Sequence, residues 1–162
     1  MRNRPDRFLV AGAMFLRFAL VLIGFGALAL LLWEPRIEGR NAHATLFEIY
    51  FKDPILAYAY VASIPFFIAL FQAFKVLGYH GRGERIRPAI LKALLTIKLS
   101  ALSIIGFAAV GELFVFFGES DDRAGGVFMG ALIGLVSGIA AAAAAVFERR
   151  VRKAVDANPG NG

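Results

Sequence analysis

Glu112 is the residue whose surroundings most invite chemistry. It stands in "GFAAVGELFVFF", about five residues inside the outer end of a long apolar run. Ionisable groups at that depth usually face the interior of a helix bundle, pair with a partner, or line a wet cavity. Two readings therefore compete: a hydrated or ion-paired acid near the outer mouth, or a site for a ligand, proton or cation. Arg17 is the second such residue, about one and a half turns inside the first apolar run. Its long stem can snorkel to the interface, or its guanidinium can serve an internal ion pair or ligand contact. Arg36 and Arg40, in the polar segment after that run, are the cations expected within reach of Glu112. Glu112, Arg17, Arg36 and Arg40 together make the candidate intramembrane polar site.

Other chemistry is scarce. The chain has no cysteine, which excludes disulfides, thiolate catalysis and Cys-based metal sites. Its two histidines, His43 and His80, fall in connections expected on opposite faces of the membrane, so they cannot share a metal. No metalloprotease, Walker or nucleophile motif is present. "GYHGRGER" has glycines but no preceding strand, and "GESDDR" lacks calcium-loop spacing; both read as solvated turns. A paired-carboxylate enzyme needs a second acid at the depth of Glu112, and no other span supplies one. No enzyme activity, cofactor or metal is expected.

The elements that position these residues are membrane spans. Of the 162 residues 59% are apolar, and the mean hydropathy is +0.67. Apolar runs cover about 14–33, 55–77, 97–117 and 124–147. Each approaches or exceeds the roughly 20 residues that cross about 30 Å of hydrocarbon. None alternates with period two, which argues against transmembrane strands. The expected fold is all-α: a four-helix transmembrane bundle in one domain, residues 1–162. Its spans are placed at about 9–33, 54–77, 88–117 and 124–147, with the tail 148–162 mostly disordered beyond the helix end. The first run is read as a retained anchor, because Leu30 to Trp33 continue past the Ala27-Leu28-Ala29 that resembles a signal cleavage site.

Charge sets the expected orientation. Fourteen of the 18 bases belong to the amino-terminal side, the second connection or the tail, counting Arg17, Lys75 and Lys98, which stand within the adjoining ends of the runs. That side carries a net +10 and the other −3, with Glu112 completing the total of +6. By the positive-inside rule both termini are cytoplasmic. The pI near 10.1 is then a topology effect. No base-stacking aromatics or reading helix accompany the inner charges, so direct nucleic-acid binding is not expected.

Local signals refine the spans. Asp53-Pro54 marks the start of the second helix, and Pro65 near its middle should kink it. The third is expected to run from Pro88 to Phe117, about 45 Å of helix, entering along the inner leaflet. The fourth carries Gly126, Gly130, Gly134 and Gly138 at four-residue spacing. Such a row makes a flat groove for another helix, either in the same chain or in a second copy. Trp33-Glu34-Pro35 is expected to end the first helix. In the insert that follows, Thr45 and Glu48 fit a capping box ahead of "LFEIYF", which suits a short interfacial helix forming an outer lid, packed over Glu112.

The stretch from "LWEPRIEGRNAHATLFEIYFKDPILAYAY" through "PFF", with the later "KALLTIK", resembles a family of small four-span bacterial membrane proteins known only as a domain of unknown function. The resemblance implies a bacterial cytoplasmic (inner) membrane location and a gene often beside a Cro/CI-like repressor; it carries no catalytic residues. Two functions follow as expectations. One is a non-enzymatic regulatory or sensing protein whose basic cytoplasmic face contacts a partner. The other is an oligomeric small-solute or ion transporter subunit using Glu112 and Arg17. The expected partners are the lipid bilayer, a cytoplasmic regulator, and a second copy through the fourth helix.

Overall fold

The computed structural model describes residues 7–37, 43, 45–51, 54–79, 87–117 and 123–157. They form five helices: α1 (Arg7–Ile37), α2 (Leu46–Phe51), α3 (Pro54–Gly78), α4 (Arg87–Phe117) and α5 (Arg123–Asp156). The fold is all-helical, and four helices are long and apolar enough to cross a membrane: Ala11–Trp33, Pro54–Gly78, Pro88–Phe117 and Arg123–Asp156. Helix is the answer hydrocarbon demands, since every backbone N–H and C=O must find its partner within the segment. Large apolar side chains such as Phe15, Phe25, Leu30, Phe71 and Phe128 are more than half exposed. In water that surface would aggregate; in lipid it is solvated.

The main contacts follow chain order, α1 on α3, α3 on α4, and α4 on α5, with the last the most extensive. The buried residues explain why. They are mostly small: Ala93, Leu94, Ser100 and Ala101 on α4, and Ser137, Ala141 and Ala144 on α5. Lipid tails are as apolar as leucine, so helices associate through close van der Waals approach, which small side chains permit.

Proline at one position shows how tertiary context alters local expectation. α1 does not end at Trp33-Glu34-Pro35; it continues to Ile37 with Pro35 inside it. Pro35 lacks the N–H that would bond the carbonyl four residues back, at Leu31. The hydroxyl of Tyr60, on α3, donates to that Leu31 oxygen at 3.0 Å. One residue on, Tyr50 of α2 donates to the Leu32 oxygen at 2.5 Å, and the two tyrosine rings stack at 6.5 Å. A pair of tyrosines from other elements thus takes over the acceptors at the end of α1. α3 carries Pro65 at a half-buried position and runs as one helix past it.

α2 begins as its sequence asks. Thr45 N–H donates to Glu48 Oε2 at 3.1 Å, and Glu48 N–H to Thr45 Oγ1 at 3.3 Å, a reciprocal capping box. Asp53, the expected cap of α3, lies outside the described residues. At the other end α5 stays helical to Asp156, nine residues past Phe147.

Candidate functional site

α4 is the helix that positions Glu112, and it presents different faces to its two neighbours. Phe107, Gly111 and Phe114, at i, i+4 and i+7, receive Tyr58 of α3. The Tyr58 hydroxyl donates to the Phe107 carbonyl at 2.5 Å. Its ring meets Phe107 and Phe114 edge-on, with centroids at 5.9 and 5.5 Å. Gly111 lies beside the ring, where a Cβ would make an ordinary 3.7 Å contact. The neighbouring face, with Glu112 and Val115, turns to α5.

There the glycine row meets its counterpart. A Cβ at Gly126 would come within 2.8 Å of Val115 Cγ1, and one at Gly130 would overlap the Glu112 carboxyl. Glycine at 130 is therefore what lets the acid lie against the backbone of α5. Gly134 and Gly138 are different: a Cβ at either would have nothing within 4 Å. The reason is angular. Four residues of helix turn 400°, so a four-spaced row drifts about 40° per step away from a straight neighbour. After two steps Ser137, Ala141 and Ala144 have taken over as the buried contacts.

Glu112 Oε1 is buried and has no hydrogen-bond partner. An unpaired ionisable oxygen in hydrocarbon is costly, so this is a strained polar feature of the α4–α5 seam. The cations expected beside it cannot be followed among the described residues. Arg40 lies outside the described residues, as does the side chain of Arg36. α2 packs on α1 and α3, whereas Glu112 lies against Gly130 of α5; residues 38–42 of the expected lid lie outside the described residues.

Arg17 is at the opposite end. Its guanidinium lies 4.2 Å from the centroid of the Phe74 ring, and its Nη2 is 2.9 Å from where a Cβ on Gly78 would be. Its Nε is buried without an acceptor. Tyr58, level with Glu112, and Phe74 are 16 residues apart on α3, about 24 Å of helix. Arg17 and Glu112 therefore do not form one site.

Sequence reasoning missed the polar cluster at the other end of the seam, between the first half of α4 and the last third of α5. Lys98 Nζ donates to Glu148 Oε2 at 2.6 Å, and Arg152 to Glu148 Oε1 at 3.2 Å. The Arg152 pair follows the i,i+4 rule and was findable. Lys98 and Glu148 are 50 residues apart in sequence; only their shared place at the ends of two adjacent apolar runs could have suggested the pair. Among the described residues no group of His, Asp or Glu could hold a metal ion, and neither cluster contains a nucleophile beside a base.

Comparison with known sequences agrees with a small helical membrane protein. A family model described as "Protein of unknown function (DUF2975)" matches residues 41–159. This chain belongs to the DUF2975 family. Its similarity extends to the "Uncharacterized membrane protein YoaS" of Bacillus subtilis (strain 168), 36% identical over 145 residues, or 88% of this chain and 91% of the relative. No solved structure matches. The matched region of this DUF2975 chain takes in α2 to α5, including both polar ends of the α4–α5 seam.

Proposed function

We propose that this DUF2975 chain is a non-enzymatic protein of the bacterial cytoplasmic membrane, with both termini cytoplasmic, whose basic inner end contacts a cytoplasmic partner. The observation that carries the reading is a packed helical stalk. The apolar runs end near Ile97 on α4 and Phe147 on α5, yet both helices continue, for about 16 and about 13 Å respectively. Ala93 and Leu94 stay buried along this extension, and the Lys98–Glu148–Arg152 cluster clamps its base. Lys92, Arg149, Arg150, Arg152 and Lys153 are exposed on it. A rigid basic surface held clear of the hydrocarbon suits an acidic protein surface, for example a repressor of the kind the family resemblance suggests. A flexible tail would be enough if the charges only served topology and anionic lipid.

The transport alternative gains nothing from the geometry. Arg17 and Glu112 lie at opposite ends, and Glu112 faces a closely packed helix rather than a path. The test is in-cell photocrosslinking from position 156, at the tip of the stalk. The expected result is a discrete crosslink to a soluble protein, lost when Arg149, Arg150, Arg152 and Lys153 are all replaced by Gln. Crosslinks to lipid alone, or a protein crosslink indifferent to those charges, would refute the reading.

A further inference from the structure

Arg17 has features that the stalk does not explain. Its guanidinium is laid on the Phe74 ring and confined by the end of α3 at Gly78. Yet Nε is buried with no acceptor, and no described carboxylate pairs with it. A positioned guanidinium without an anion is an incomplete site, because its planar fork is suited to bidentate binding of carboxylate or phosphate.

The surface next to it is apolar. Between α1 and α3 a groove of about 250 Å³ is lined by Leu20, Gly24, Leu28, Phe67, Leu70 and Phe74, among others, all apolar. Phe74 belongs to both features: it carries the guanidinium and closes one end of the groove. From Leu20 to Leu28 the groove follows α1 for about 12 Å toward the middle of the span. Gly24 keeps its floor low, since a Cβ there would be 2.9 Å from Leu70 Cδ2.

We infer that Arg17 binds the phosphate of an anionic phospholipid whose acyl chain lies in the α1–α3 groove. The ligand's two halves match the two adjoining features: a negative diester at the level of the last turn of α3, and a chain running inward from it. Basic pockets between membrane helices at headgroup depth recognise lipid heads in this way. A free phosphate would use the guanidinium and leave the groove empty; a neutral lipid would use the groove and leave the guanidinium without an anion. The inference does not depend on the stalk or on which side of the membrane Arg17 faces.

The experiment is native mass spectrometry of the delipidated full chain, titrated with phosphatidylglycerol and, separately, phosphatidylethanolamine of the same acyl length. Wild type should prefer phosphatidylglycerol by about tenfold, the scale of one charge-assisted hydrogen bond. Arg17→Gln should bring the preference to near parity, and Arg17→Lys should recover only part of it. Val21→Trp keeps the guanidinium but fills the groove, whose wall Val21 also lines; it should weaken phosphatidylglycerol binding, and it carries the test if the Arg17 variants fail to fold. Equal binding by wild type and Arg17→Gln would overturn the site. So would binding untouched by Val21→Trp, or displacement of the lipid by inorganic phosphate at equal concentration.

Discussion

The two ends of the α4–α5 seam hold one carboxylate each and treat them in opposite ways. At the inner end Glu148 accepts from both Lys98 and Arg152. At the outer end Glu112 presses against Gly130 with a buried oxygen that nothing bonds. Depth explains the contrast. Glu148 is the first residue past the apolar run, where cations are affordable; Glu112 is five residues inside it, where a second charge would need burial too. The inner end is a clamp built from paired charge, and the outer end is a contact built from shape.

The largest effect should come from destroying the shape. Gly130→Leu places a side chain where the Glu112 carboxyl lies, and should cost about 2–3 kcal/mol in thermal unfolding of the detergent-solubilised protein. Gly134→Leu, with open space at its Cβ, should leave the midpoint nearly unchanged; equal losses at both positions would break the account of the row. Next is the tyrosine that serves the end of α1. Tyr60→Phe removes the donor to the Leu31 oxygen freed by Pro35 and should cost about 1 kcal/mol by the same measurement.

Substituting the two carboxylates sharpens the comparison, because the signs should differ. Glu112→Gln removes an ionisable group that has no partner and should hold or raise stability, by up to about 1 kcal/mol. Glu148→Gln should lower it, since two cations lose their acceptor. The smallest effect is expected at Arg152→Ala, whose side chain is 65% exposed; only a slight drop in midpoint should appear, fading in high salt.

Much of this molecule was legible in its sequence, and the reasons are physical. Hydrocarbon thickness fixes the length of apolar runs, so four helices able to span could be read directly. The Thr45–Glu48 capping box is local and appeared as written. What failed was what depends on a neighbour. Pro35 reads as a terminator until Tyr60 supplies a donor from α3. The glycine row reads as one continuous groove until helical drift carries Gly134 and Gly138 off the contact. The insert reads as a lid over Glu112, yet α2 is drawn to α1 and α3 by Tyr50 and its stack on Tyr60. Lys98 and Glu148 pair only once two distant apolar runs are known to be adjacent.

The central claim is that the clamped, basic end of the seam is the cytoplasmic one. The chain has no cysteine, so single cysteines can report on it without background. His43→Cys, before α2, and Lys153→Cys, on the stalk, would each be treated in intact cells with a membrane-impermeant maleimide. The account predicts labelling at 43 in intact cells, and at 153 only after the membrane is opened. Labelling at 153 in intact cells, with 43 protected, would contradict it.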